Sequence, residues 1–453
     1  MAKHIHFLGI GGSGASAIAA IAESQGFKVT GCDKFPHNEF TKVFDKRQLF
    51  TGHSLSHLGG GLDRTPGDTT DILAVTPAIF SLDPNNEELR EASNRGIRVM
   101  TWQQFMGKFL EKDKFVIAVC GTHGKSTTTA MIGLLLEEAG LDPTVELGAI
   151  VPKWGTNYRI GKSKYISAKR EDSKTYKGIF ITEADEFNDN FLATHPDITV
   201  VTTIEMDHPE YFKDFSAVKD SFKKFLGQAK DKIIANLSDK GICDVLVSPS
   251  DAWETKTIGY QGKLIDFPLQ IPGRHNILNA SAVYQVGLAL GIDPQIIKKS
   301  LMDFTGIGRR FEYLGESGGV KVYSDFAHHP TEIKVTMEAV REKFPDKKII
   351  MVFQPHMFSR THVLFNEFVK VLSELPVDQI YILDIYPSRE VDTGLVNSKQ
   401  LVEAVGKNNV SYLEKNEQTL EELIQKDQKY DIIFFVGAGD IDKLARQIAE
   451  DHI

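Results

Sequence analysis

The sequence is poor in cysteine, holds no long apolar run and shows no internal repeat or low-complexity tract. Its three cysteines, Cys32, Cys120 and Cys243, are far apart and odd in number, so neither a disulfide framework nor a thiolate metal site is expected, and a reducing compartment fits. No stretch reaches the roughly 18 apolar residues that a membrane-spanning helix needs. Positive charge is in deficit: 52 Lys and Arg stand against 61 Asp and Glu, a formal net charge of −9. That balance argues against a nucleic-acid binder held by bulk electrostatics, while leaving room for local anion pockets. The remaining composition, 42% hydrophobic and 25% charged, is that of a soluble globular chain, and 453 residues exceed one ordinary core. A cytoplasmic enzyme of several domains is the expectation.

Strand-length apolar runs alternate with helical stretches almost throughout, the rhythm of βαβ units and mostly parallel sheets. One series runs through HIHFLGI, KVTGCD, DILAV and IRVMT, and a second through KFVIAVCG, GIFITEAD, ITVVTTI and KIIANL. A third runs through VKVYSDFA, KKIIMVFQP, QIYILDIYP and DIIFFVGAGD. Three α/β domains are read, residues 1–112, 113–308 and 309–453, with boundaries near 109–113 and 305–312 and a hinge at each. Residues 162–177, dense in Lys, Ser, Glu and Asp, read as a solvated loop.

Two glycine loops punctuate this pattern. Gly9-Ile10-Gly11-Gly12-Ser13-Gly14 follows a strand and opens a helix. There Gly11, Gly12, Ser13 and Gly14 let the backbone approach a pyrophosphate at a helix N-terminus, and Asp33, at the end of the next strand, can hold a ribose hydroxyl. NAD and a UDP-sugar fit this motif equally. The second loop is Gly121-Thr122-His123-Gly124-Lys125-Ser126-Thr127, with Val119 where the general phosphate loop has glycine. Its physics is intact: backbone N–H groups face phosphates, Lys125 neutralises β/γ charge, and Ser126 offers a hydroxyl to Mg²⁺. ATP is the expected ligand. Glu183, Asp185 and Glu186 follow one apolar strand, and Glu205, Asp207 and His208 the next, as a metal site at the carboxyl edge of a parallel sheet requires.

Gly121 to Thr129 reads GTHGKSTTT. With PGRHNILNA (272–280), GIGRRFE (306–312), SDFAHHPTEI (324–333), FQPHMFSRT (353–361) and DIYPSREVDTG (384–394), it resembles the Mur ligase family, ATP-dependent amide-bond enzymes that build peptidoglycan precursors. The resemblance covers nearly the whole chain. It implies a Rossmann-like UDP-sugar domain, a central P-loop-type ATPase domain and a Rossmann-like C-terminal domain that receives the amino acid. The two loops would then serve two substrates, UDP-sugar and ATP. ATP would phosphorylate a carboxylate to an acyl phosphate, which an amine attacks. By carry-over, Asn279 would meet adenine, Arg310 the γ-phosphate and Asp325 the ATP ribose. Ser126 and Glu183 would bind one Mg²⁺ and His208 a second. Lys125, Glu183, His208 and Arg310 would form the catalytic group, and His328, His356 and Arg360 would surround the incoming amino acid. A monomer or homodimer is implied, with no nucleic acid and no membrane insertion.

The third-domain motifs are similar to those of family members that add L-alanine to UDP-N-acetylmuramate. IEMDHPEYF (204–212) is closer to members that recycle a murein tripeptide onto the same sugar, which is the alternative. Phe326 stands where Tyr is usual, Met357 and Phe358 replace an Arg and a Tyr, and Asn188 replaces an acid. These departures fall on the amino-acid pocket rather than on the ATP chemistry. Plainer roles compete at three places: an ion pair for Arg309 or Arg310, a turn for His329, and a helix cap for Asn276.

Overall fold

The computed structural model describes residues 2–59, 69–166, 175–246, 256–262, 264–392, 394–414 and 430–450. The first sheet contains β1 (His4–Leu8), β2 (Lys28–Asp33), β3 (Leu49–Thr51), β4 (Ile72–Val75) and β5 (Arg98–Thr101). All are parallel, in the order β3-β2-β1-β4-β5. The order turns back at β1, so the loop after β1 sits at a topological switch point, where such sheets bind ligands. The helix Ser13–Ser24 leaves that loop with eight buried residues, most of them Ala and Ile.

The second sheet contains β6 (Phe115–Cys120), β7 (Thr144–Val151) and β8 (Thr156–Arg159), and then β11 (Ile179–Glu183), β12 (Ile198–Val201), β13 (Lys232–Asn236) and β14 (Thr257–Tyr260). Its order is β14-β13-β12-β6-β11-β7-β8, parallel except for β8. β6 is buried at every position, which is why its sequence is a continuous apolar run rather than an alternation. Between β8 and β11, β9 (Tyr165–Ile166) and β10 (Thr175–Tyr176) pair antiparallel. Two short pieces of the segment read as a solvated loop, 165–166 and 175–176, are therefore strand, residues 162–164 and 177 are not, and its middle lies outside the described residues.

These two sheets, read as separate domains, share one apolar core. Phe7 and Phe105 from the first series pack with Val116 and Phe180 from the second. The Asn157 amide also donates to the Ser13 carbonyl at 2.7 Å. The compact unit they form takes in residues 1–204, 219–266 and 279–301.

The second unit, residues 205–218, 267–278 and 302–453, holds the third sheet. β15 (Glu312–Ser317), β16 (Val320–Asp325), β17 (Ile349–Phe353), β18 (Gln379–Ile382), β19 (Val410–Tyr412) and β20 (Ile432–Val436) run in the order β15-β16-β20-β17-β18-β19, with only β15 antiparallel. Alternate residues of β17 and β20 feed two apolar layers: Met351, Phe353 and Phe434 on one face, Ile350, Val352 and Phe435 on the other. Residues 205–218, which chain order places in the central domain, belong to this unit and carry Asp207 and His208 with them.

Candidate functional site

In the first unit the strand β6 runs into the turn 121–124 and then into the helix Lys125–Glu138. Gly124 takes φ +81 at the helix N-cap, and a Cβ there would lie 2.6 Å from Asn279 Oδ1. At Gly121, with φ +131, a Cβ would run into the Thr202 hydroxyl. Only glycine fits both corners. Backbone and side chain of Thr203 hold the turn: its carbonyl takes the Thr122 N–H at 2.9 Å, and its hydroxyl takes the His123 N–H at 3.0 Å.

Lys125 Nζ donates to the Gly121 carbonyl at 2.7 Å and to Glu186 Oε2 at 2.8 Å, with Asp185 Oδ1 at 3.9 Å. Burial opposes its charge, but Glu186 and then Asp185 hold the ammonium above the ordinary lysine range. The Ser126 hydroxyl donates to Glu183 Oε1 at 3.0 Å, and Glu183 Oε2 accepts the Gly148 N–H at 2.8 Å. Ser126 and Glu183 therefore place two hard oxygen donors side by side at the head of the helix, a donor set that suits a divalent cation with water completing its shell. Behind them Glu146 is buried, and burial with the nearby Glu183 charge pushes its carboxyl up to about 8. It accepts the Thr182 hydroxyl at 2.7 Å. Chain reading missed Glu146, because a lone acid within TVELGAIV carries no spacing signal.

At the other loop, Gly9 and Ile10 donate to the Cys32 carbonyl at 2.8 and 3.2 Å. Gly11 donates to Asp33 Oδ2 at 3.1 Å, and Asp33 Oδ1 takes the Phe35 N–H at 2.9 Å. Asp33 thus shapes the loop itself. Gly12 is the N-cap of Ser13–Ser24 and supplies no side-chain cap, so the first turn faces outward with backbone donors alone.

In the second unit Arg360 is 2% exposed. Its Nε donates to Asp207 Oδ1 at 3.0 Å, and its Nη1 lies 3.2 Å from His356 Nδ1. Burial favours a neutral Asp207, yet Arg360 holds its carboxyl well below the usual range. His328 and His356 have ring centroids 5.6 Å apart. Burial pushes His328 down to about 3 and His356 to about 2, so both are neutral near pH 7. His328, His356 and Arg360 are therefore together, and Asp207, read from the sequence as a strand-end acid for a metal site, is the ion-pair partner of Arg360. His208, at φ +53, has Nδ1 3.2 Å from Glu210 Oε1.

Arg310 Nη1 is 3.5 Å from Glu332 Oε1, and Arg309 Nη2 donates to the Gly437 and Gly439 carbonyls. Both guanidinium groups lie over the Phe326 ring, at 4.7 Å for Arg309 and 5.2 Å for Arg310. Asp325 accepts the Phe311 and Ala327 N–H groups at 2.8 and 2.9 Å. His329 is the N-cap of Pro330–Lys343 and forms a capping box with Glu332. Asn276 lies inside Arg274–Leu290 rather than at its cap, and its amide donates to the Pro272 carbonyl.

Three family profiles match in chain order: Mur ligase family, catalytic domain, over residues 4–114; Mur ligase middle domain, over 119–250; and Mur ligase, glutamate ligase domain, over 309–439. The UDP-N-acetylmuramate--L-alanine ligase of Caldicellulosiruptor saccharolyticus is 35% identical over 98% of this chain and 97% of its own. The chain belongs to the Mur ligase family. The Aquifex aeolicus ligase of the same name is 32% identical over 99% of this chain and 98% of its own. Among solved structures, UDP-N-acetylmuramate-alanine ligase from Thermotoga maritima aligns with a TM-score of 0.75 and 26% identity, covering 99% of this chain and 98% of that one. A murein peptide ligase from Psychrobacter arcticus shares the fold, with a TM-score of 0.67 and 21% identity over 98% of both chains. As a Mur ligase the chain is an ATP-dependent, ADP-forming ligase. Among the described residues no helix is long and apolar enough to cross a membrane.

Proposed function

We propose that this Mur ligase joins L-alanine to the lactyl carboxylate of UDP-N-acetylmuramate, cleaving ATP to ADP and phosphate in the cytoplasm. The observation that carries the reading is the Lys125, Ser126 and Glu183 constellation of a phosphate loop, in a chain whose full-length relatives are named for that reaction. A carboxylate resists direct attack because its oxygen is a poor leaving group. The γ-phosphoryl group of ATP passes to one carboxylate oxygen. The amine then attacks the carbonyl carbon, the carbon–oxygen bond to phosphate breaks, and phosphate leaves with that oxygen.

Lys125 exchanges its Gly121 and Glu186 partners for β- and γ-phosphate oxygens and stabilises the charge that moves. Ser126 and Glu183 hold one Mg²⁺, and His208 a second. When bound, such an ion neutralises phosphate charge. Gly121, Thr122, His123, Gly124 and Thr127 line the phosphates, Asn279 meets adenine, Arg310 the γ-phosphate and Asp325 the ribose. Gly11, Gly12, Ser13 and Gly14 take the UDP diphosphate, with Asp33 at its ribose. Arg360 pairs with the amino-acid carboxylate through its guanidinium fork, beside the neutral His328 and His356. Residues 1–112, 113–308 and 309–453 are the three functional domains of a monomer or homodimer.

The test is phosphate release from Mg-ATP with UDP-N-acetylmuramate and, in separate wells, L-Ala, Gly, L-Ser or L-Ala-D-Glu-meso-diaminopimelate. Release driven by L-Ala is expected. Release with the tripeptide alone would overturn the reading in favour of a recycling ligase.

A further inference from the structure

The first sheet buries a cluster that the ligase chemistry does not use. His6 comes from β1, Cys32 from β2, His57 from the short 3-10 turn Leu55–Leu58 and Glu88 from the helix Glu87–Asn94. His6, Cys32 and Glu88 are fully buried. His6 Nε2 lies 3.4 Å from Glu88 Oε2, His57 Nδ1 2.9 Å from Glu88 Oε1, and Cys32 Sγ 3.3 Å from Glu88 Oε1. One ligand atom from each of the four residues falls within 4.8 Å of all the others. His6 Nε2 is buried, and its polar contact is with the Glu88 carboxylate inside this cluster. Its other nitrogen, Nδ1, is 2.8 Å from Thr30 Oγ1, the outer contact that fixes the ring of a ligating histidine.

We propose that His6, Cys32, His57 and Glu88 form a structural site for zinc or a similar late divalent cation. Bonds of about 2.0–2.3 Å at tetrahedral angles separate ligand atoms by about 3.3–3.6 Å; the three contacts to Glu88 are 2.9–3.4 Å and every pair lies within 4.8 Å, so small side-chain shifts would close the shell. Two imidazoles and a thiolate select a borderline-soft ion over Mg²⁺. Thiolate and carboxylate together cancel a double positive charge, so the buried assembly is neutral; the Cys32 proton is released to solvent on binding. Four protein donors close the shell, which leaves no place for a substrate. His53, whose Nδ1 is 3.3 Å from Cys32 Sγ, lies next to the cluster as a further imidazole. No spacing motif announces the site, because each ligand comes from a different element.

The test uses tag-free, full-length protein loaded with Zn²⁺, desalted and assayed for metal, and a parallel sample loaded with Co²⁺ for spectroscopy. About one zinc per chain and a thiolate-to-Co²⁺ charge-transfer band are expected. Cys32→Ser removes the band and Cys243→Ser leaves it. His57→Asn, at a ligand that reaches the surface, weakens binding at least as much as loss of an outer contact does, roughly 10–100-fold. Wild-type protein that retains no zinc and gives no charge-transfer band would overturn the proposal, leaving a hydrogen-bonded His–Glu network. A band that persists in folded Cys32→Ser would overturn it equally.

Discussion

At the scale of single residues, electrostatics separates the groups that act from those that support them. Lys125 is the buried cation of the phosphate loop, held charged by Glu186. Lys125→Ala is expected to lower kcat by ~10²–10³, about 3–4 kcal/mol of transition-state stabilisation, in steady-state phosphate release. Arg360 and Asp207 form an ion pair with side chains only 2% and 7% exposed. Removing one partner strands the other's charge, so Asp207→Ala should destabilise the protein by about 3–5 kcal/mol in urea unfolding. The double variant Arg360→Met with Asp207→Leu should recover most of that loss, and no recovery would show that the pair is not the source. The departures from the family pattern also have local reasons. Asn188 sits at φ +56, a left-handed conformation that asparagine tolerates better than most residues. Phe326 offers its ring face to two guanidinium groups, an attraction that needs no hydroxyl.

At the scale of elements, the turn between β6 and its helix is the most constrained piece. Gly124→Ala combines a left-handed backbone, unfavourable by about 1–2 kcal/mol for an L residue, with a clash against Asn279. We expect the variant to raise the KM for ATP more than tenfold while the UDP-sugar KM changes little, as initial-rate kinetics would read. The strands legible in the sequence include the interior strands β6, β12, β17 and β20, apolar at nearly every position, and β1, whose two histidines are buried with the rest; the edge strand β5 was legible as well. Those that chain reading missed are mostly edges. β3, β8, β14, β15 and β19 stand at or end a sheet, and their half-exposed positions break the apolar run. β7 was missed for a different reason: its buried Glu146 and its glycine interrupt the pattern.

At the scale of the whole molecule, the core shared by the first two sheets makes them one cooperative body. Phe180→Ala removes a fully buried ring at their junction and should be unfavourable by about 3–5 kcal/mol. Amide exchange should quicken in β1 and β6 together; acceleration confined to β6 would count against a shared core. Glu146 and Glu111 give this body a pH dependence. Burial raises Glu146 to about 8 and Glu111 to about 7, from an ordinary value of 4.5. Their contribution is fully present below about pH 4.5 and is lost as pH rises through 7 to 8. Glu146→Gln, which mimics the protonated acid, should therefore gain melting temperature relative to wild type between about pH 5 and 9; parallel curves would refute the assignment.

By itself the sequence determined the alternating α/β architecture, the two glycine loops and the strand-end residues Lys125, Ser126 and Glu183. Those features are local: a turn that only glycine can make, a run that only a buried parallel strand tolerates, and a helix N-terminus within a few residues of both. Only the tertiary structure decided that Glu183 reaches Ser126 across 57 residues, that Asp207 pairs with Arg360 across 153, and that His6, Cys32, His57 and Glu88 converge on one point. It also decided that two of the three sheets share a core. Contacts of that kind depend on sheet order and packing, which no spacing along the chain encodes.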